Sequence, residues 1–313
     1  MALAQTTEVV RQLGEAWPGE AFEAAPFSPR GDRDQVSKLD RHGGKGGAFV
    51  DEIRAAMCER RIDAAMHSLK DMPGDEEAPG LVIAAMLARE ASGDALVLHP
   101  ELSLKEFQET KAKGLRIGTN SVRRAAFLRR LYPQADVIHY RGAADTRIRK
   151  LDDRTPQKLP DGAETLPADA IVVARAGLDR IGRAARIVYE FSFEEMLPSI
   201  GQGVVAVECP HDAWRARELL ARIDDALTRA CAEAEREVLW VLNGHCNSPI
   251  AGHARIVADA LHLSAAVLSE DGGQMIRAEA TGSAMRPREL GRSVALSLLE
   301  KGARAVIDAA QPI

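Results

Sequence analysis

Cysteine is scarce in these 313 residues, and the four present, Cys58, Cys209, Cys231 and Cys246, stand far apart with no C-x-x-C pair. That spacing excludes a disulfide scaffold and a structural zinc cluster, no metal is implied, and a reducing compartment fits. No apolar run approaches the ~18 residues of a membrane span. The start, Met1-Ala-Leu-Ala-Gln-Thr-Thr-Glu8, has no basic segment leading into an apolar one, so a soluble, unexported, cytoplasmic protein is expected. Positive charge is in deficit as well. The 41 Lys and Arg against 46 Asp and Glu leave a net charge of -5, which excludes a surface that coats nucleic acid in general. A phosphate loop is also missing: His42-Gly-Gly-Lys-Gly-Gly-Ala-Phe49 is glycine-rich but lacks the spacing and the Lys-Ser/Thr ending.

What is there is enough chain for a sizeable core and two or three domains. Apolar periodicity predicts helices over 8–17, 50–60, 122–131, 145–151 and 226–242, with a final one over 290–309. Strands are expected near 22–27, 63–67, 80–87, 94–98, 116–119, 136–140 and 169–174, then at 254–257 and 261–268. Three prolines mark 155–167 as an exposed loop. Alternating strands and helices define an α/β protein, and the stretch from 226 onward suits a small α+β unit.

Three places hold chemistry. Lys70 and Asp71 follow a strand and precede Pro73, where open α/β sheets gather ligand-binding groups; an ordinary surface pair is the alternative. Arg116, Arg123, Arg124, Arg129, Arg130, Arg141, Arg147, Arg149 and Lys150 fall within 35 positions of an acidic chain. They form either a solvated basic face or a site for several carboxylates, whose geometry the guanidinium fork matches. Thr119, Asn120 and Ser121 are placed to cap the helix that begins at Val122, and its free N–H groups would favour an anion. Cys246 lies in a turn, Asn243 to Ile250, either as a small apolar filler or as a reactive thiol.

Several motifs, in order along the whole chain, resemble the porphobilinogen deaminase (hydroxymethylbilane synthase) family. They are His67-Ser-Leu-Lys-Asp-Met-Pro73, Arg116-Ile-Gly-Thr-Asn-Ser-Val-Arg-Arg124, Arg141-Gly142 with Asp145 to Asp152, Ala176 to Gly182, Leu197-Pro-Ser-Ile-Gly-Gln-Gly203, and Cys246. The resemblance implies three domains: two α/β domains like type II periplasmic binding proteins, flanking a cleft, and a small α+β C-terminal domain. Their expected extents are 1–90 with 200–222, 93–198, and 226–313. It further implies a dipyrromethane cofactor joined by a thioether to Cys246. Four porphobilinogens are added to that primer in turn, ammonia leaves each time, and hydroxymethylbilane is released. By likeness Asp71 is the catalytic carboxylate. Arg123, Arg124, Arg141, Arg147 and Arg180 hold acetate and propionate arms with Lys70, Thr119, Asn120 and Ser121. Gln202 lies near the hinge, and Phe49 belongs to the active-site loop. The expected partner is the small-molecule substrate, with no nucleic acid and no membrane, and the expected state is a monomer.

This sequence also departs from the family pattern. Met1-Ala-Leu-Ala-Gln5 aligns with the family's first helix, so the usual first strand has no counterpart in it. The glycine-rich loop is one residue out of register, Ala143 stands where Asn is common, Asn120 where Ser is common, and about twelve extra residues lie between Asp153 and Ala168. Two other readings follow: a divergent member binding a polycarboxylate with altered or lost catalysis, and a solute-binding module, against which Asp71, Cys246 and the start without an export segment all count.

Overall fold

A computed structural model of the protein describes residues 2–25, 50–74, 78–157, 162–244 and 248–310. Phe49, the glycine-rich loop and Cys246 lie outside them. The first helix, α1 (Ala2–Ala16), starts six residues earlier than periodicity suggested. Ala2, Leu3 and Ala4 are strong helix formers, and the buried Gln5, Val9 and Leu13 recur at four-residue steps. Residues 22–25 of the expected early strand have no regular structure, and the rest of that stretch is outside the described residues.

Next come α2 (Asp51–Cys58), β1 (Ala65–Ser68), a single 3-10 turn over Leu69–Asp71, β2 (Leu81–Met86), β3 (Asp94–Leu98) and α3 (Leu104–Glu109). The middle of the chain holds β4 (Arg116–Thr119), α4 (Val122–Leu131), β5 (Asp136–His139), α5 (Ala144–Asp152), β6 (Ala170–Ala174), α6 (Arg175–Arg180) and β7 (Tyr189–Glu190). There follow β8 (Val205–Pro210), α7 (Trp214–Leu220), α8 (Ala226–Leu242), β9 (Ile250–Val257), β10 (Ala260–Leu268), β11 (Met275–Ser283), α9 (Pro287–Glu300) and α10 (Ala303–Ala309). Two details differ from the sequence reading. Strand β11 was not anticipated, because Met275-Ile-Arg-Ala-Glu-Ala-Thr-Gly-Ser283 carries only a weak alternation of burial. The single final helix is divided at Gly302, whose φ of 94° is left-handed and stops α9.

The architecture is mixed α/β, with three sheets among the described residues, ordered β1-β8-β2, β5-β4-β6-β3-β7 and β11-β10-β9. In the five-stranded sheet β4 runs parallel to β5 and β6, whereas β3 is antiparallel to β6 and β7. Both faces of that sheet are covered. Leu96 and Leu98 pack with Phe107 and Phe127 on one side, and Ala95 and Val97 with Tyr140, Leu151 and Leu178 on the other. Double coverage explains the near-continuous apolar runs of β3 and β6, and each fully buried Leu or Phe contributes roughly 1.5–3 kcal/mol relative to exposure.

The chain leaves the first sheet after β2 and returns to it as β8, so two segments run side by side between that sheet and the five-stranded one. They are tied by Glu90 N–H donating to Gly203 O at 3.0 Å and Leu87 N–H to Val205 O at 2.9 Å. Gly203 has φ +86°, and a Cβ there would lie 2.5 Å from the Glu90 carbonyl oxygen; only glycine admits this approach. Around these crossing strands the chemistry collects.

Candidate active site

Asp94 opens β3 and is fully buried. An isolated carboxylate there would be costly, so its partners decide what it does. Arg123 Nη2 donates to Oδ2 at 2.7 Å, Arg124 Nε to Oδ1 at 2.9 Å, and Gln202 Nε2 to Oδ1 at 2.9 Å. Burial alone would raise its pKa; the two guanidiniums and the glutamine outweigh that and hold it at about 2. Gln202, also fully buried, donates to Ser92 O at 2.7 Å and accepts from Arg124 Nη2 at 3.2 Å. Its own carbonyl accepts from Arg89 Nε at 2.9 Å. Arg89 in turn pairs with the fully buried Glu235 of α8, which accepts Gly201 N–H at 2.8 Å and Ala254 N–H at 2.7 Å. One buried polar network thus runs from α4 through the crossing strands to α8 and β9.

The helix α4 is positioned as its sequence requires. Ser121 caps it by accepting Arg124 N–H at 3.4 Å, and Thr119 Oγ1 accepts Ser121 N–H at 3.2 Å. With Ser121 as the cap, Arg123 and Arg124 fall in the first turn and point inward, where both are buried. The anion they meet first is Asp94 of the protein itself, which the sequence reading missed. An aspartate at the head of a strand as apolar as Ala95-Leu-Val-Leu98 was the signal. Two guanidiniums sharing one carboxylate still leave a surplus positive charge.

Lys70 and Asp71 close the 3-10 turn after β1. Burial pushes the Lys70 amine down to about 8, with Asp71 opposing that and Arg124 adding to it. Asp71 is exposed. Arg147 of α5 donates from Nε to Gly142 O at 2.7 Å. Burial lowers its pKa to about 10, helped by Arg124 and Arg141 and opposed by Tyr140 and Asp71. Lys70 and Arg147 are thus both within reach of the charges of Asp71 and Arg124, and Arg147 of Arg141 as well. Arg180 ends α6, and its Nε lies 2.9 Å from a carboxylate oxygen of Glu90 on the first of the two side-by-side segments. Asn120 sits half-buried between Thr119 and the cap.

Other members of the basic run serve elsewhere. Arg116 pairs with Asp169 at 3.0 Å, Arg129 donates to Glu270 O at 2.6 Å, and Arg130 to Gly272 O at 3.3 Å. These contacts secure β4 and dock α4 on the C-terminal sheet. Where the sequence showed one cluster, the fold divides it into cations gathered near Asp94 and Asp71 and cations that hold elements together.

The donor set suits a ligand with several carboxylates. Arg123 Nε and Arg180 Nη2 are buried with no hydrogen-bond partner among the described residues, which is costly unless a ligand supplies the acceptor. Among the same residues no cluster of three or more His, Cys, Asp or Glu is placed to hold a metal. No helix among the described residues is long and apolar enough to cross a membrane. We predict that Asp94→Ala, which strands two buried guanidiniums, costs roughly 3–5 kcal/mol, read as a shift of the urea midpoint. Because its folded pKa is depressed, the stability Asp94 supplies is complete above about pH 4 and is lost as pH falls toward 2.

Fold and donor set together describe a mixed α/β protein with a cluster of cations, drawn from the turn after β1 and from α4, α5 and α6, whose chemistry suits carboxylates. A family model described as porphobilinogen deaminase, dipyromethane cofactor binding domain, matches residues 1–218, and one described as porphobilinogen deaminase, C-terminal domain, matches 229–300. The porphobilinogen deaminase of Stenotrophomonas maltophilia is 40% identical over 308 residues, spanning 98% of this chain and 96% of that one. That of Syntrophobacter fumaroxidans is 37% identical over 308 residues, 98% and 94% of the two chains. Porphobilinogen deaminase 2 of Streptomyces coelicolor is 40% identical over 311 residues, 98% and 93%. The chain belongs to the porphobilinogen deaminase family.

Proposed function

We propose that this chain condenses four porphobilinogen molecules into hydroxymethylbilane, releasing ammonia at each addition, with Asp71 as the catalytic carboxylate. The observation that carries the reading is the gathering of Lys70, Arg123, Arg124, Arg141 and Arg147 around the space that Asp71 faces, within a chain of net charge -5. A pyrrole with an acetate and a propionate arm needs such a local surplus of cations.

Dipyrromethane is the family's cofactor, and when bound it supplies the nucleophilic pyrrole carbon that primes the product. The orphaned donors of Arg123 and Arg180, with Arg124, Arg141 and Arg147, would hold its four carboxylate arms; Cys246 is the attachment thiol. Thr119, Asn120 and Ser121 assist at the N-terminus of α4, where free N–H groups favour an anion. Asp71 accepts the substrate's pyrrole N–H and opposes the positive charge that develops as the aminomethyl nitrogen departs. Gln202 positions rather than reacts, since it touches Asp94, Arg124 and the Ser92 carbonyl. Phe49 is assigned to the active-site loop.

The three sheets support a division into domains at 1–90 with 200–222, 93–198 and 226–313, the first two arranged like type II periplasmic binding modules. A cytoplasmic monomer acting without nucleic acid or membrane completes the reading. Incubating the purified chain with porphobilinogen tests it. Ammonia and hydroxymethylbilane should appear in a four-to-one ratio, and absence of both would sink the assignment.

Lys70 adds a pH signature. Its ammonium can hold a carboxylate while charged, and it loses that charge as pH rises through about 8. The KM for porphobilinogen is therefore expected to climb above pH 8 while kcat changes little. In Lys70→Arg, which stays charged, the climb should disappear; an unaltered profile would remove Lys70 from the binding set.

A further inference from the structure

A groove of about 670 Å³ opens between β2, α8 and α9, and none of the groups assigned above lines it. Its volume falls in the range of small-molecule sites, ~300–1,000 Å³. Val82, Ile83 and Met86 form an apolar floor, and Trp240, 44% exposed, offers a ring beside it. Four arginines and three glutamates complete the lining, one more guanidinium than carboxylate.

The pairing of these charges is uneven: Arg292 Nη2 donates to the mostly buried Glu237 at 3.0 Å and Arg229 Nη2 to Asp224 at 2.7 Å, whereas Glu233 has only longer contacts. Glu233 sits 4.0 Å from Arg229 and 3.6 Å from Arg288, beyond hydrogen-bond distance to either. The side chains of Arg288 and Arg292 are exposed; the long Arg288–Glu233 contact can be exchanged for a ligand's carboxylate at little cost, and Arg292 can take a second carboxylate on its remaining N–H groups while keeping Glu237. Arg236 connects the groove to the other site, since its Nη2 donates to Pro73 O at 2.7 Å, two residues after Asp71.

A ligand that satisfies this lining has a flat ring for Trp240 and the apolar floor, an ammonium for Glu233, and carboxylates for Arg288 and Arg292. Its net charge would be one negative. Porphobilinogen, a pyrrole with one aminomethyl ammonium and two carboxylates, has that composition. We propose that the groove is a second binding site for this monopyrrole, separate from the site at which it reacts. The proposal rests on the substrate named under the proposed function.

The test uses the full-length Asp71→Ala chain, so that turnover does not consume the probe. Equilibrium dialysis against radiolabelled porphobilinogen is compared among that protein, Asp71→Ala with Arg288→Glu and Arg292→Glu, and Asp71→Ala with Trp240→Leu. One bound equivalent should weaken by about tenfold or more on charge reversal, the scale of lost charge-assisted contacts, and should also weaken with Trp240→Leu. If charge reversal unfolds the chain, shown by its melting curve, the Trp240→Leu protein decides. Unchanged stoichiometry and affinity in the folded variants would overturn the proposal. The two readings fail separately. An otherwise wild-type chain that turns over no porphobilinogen while the groove variants lose binding defeats the deaminase reading alone, and normal turnover with unaltered binding defeats the groove alone.

Discussion

Cys246→Ser is expected to abolish hydroxymethylbilane formation and to remove from the intact protein the added mass of two linked pyrrole units. Serine is close to cysteine in size and polar enough for a turn, so folding should survive. Its hydroxyl is a far weaker nucleophile than a thiolate, so the thioether cannot form and the oxygen is a poor substitute. Intact-protein mass spectrometry of the two purified chains, expressed in cells making ample porphobilinogen, reads the result directly. A wild-type chain without the added mass, or a variant that keeps it, would remove Cys246 from its assigned role.

Asp71→Ala is expected to lower turnover by about 10²–10⁴-fold, the range for losing a positioned acid–base group, with the melting temperature nearly unchanged. The second half follows from location. Asp71 is exposed at the end of a one-turn 3-10 helix, whereas its neighbours Leu69 and Met72 are buried and hold the turn in place. Truncating an exposed side chain leaves no cavity, and only the charge support it gives Lys70 and Arg147 is lost, so stability changes of at most about 1 kcal/mol are expected. A variant that retained substantial turnover would refute the catalytic role, and one that failed to fold would contradict the geometry of the turn.

Much of this was legible in the residues because local rules and tertiary needs agreed. Ser121 was recognisable as a cap from its place before an apolar-periodic run, and in the structure it accepts the Arg124 N–H. The strands β3 and β6 read as buried because both faces of their sheet are covered. Charge was harder to read. Sequence proximity grouped nine cations, yet it could not show that Arg116 turns to Asp169 or that Arg129 and Arg130 reach carbonyls more than 140 positions away. Asp94 and Glu235 escaped notice for the same reason: a buried carboxylate is defined by partners that only folding brings together. The left-handed Gly302 that divides the last helix was missed because the apolar pattern continues across it.

The ion pair between Arg89 and Glu235 constrains motion as well as holding charge. Glu235 lies on α8, the helix that leads to position 246, and Arg89 lies on one of the two crossing strands and also grips the other at the Gln202 carbonyl. Sliding α8 relative to those strands would separate two buried charges, at roughly 3–5 kcal/mol. On the proposed function, the helix that leads toward the anchor point and the network beneath the cations are thus tied into a common frame. Each added pyrrole has to be taken up by coiling of the product itself or by yielding of the segments around the frame, like thread paid out from a fixed spool.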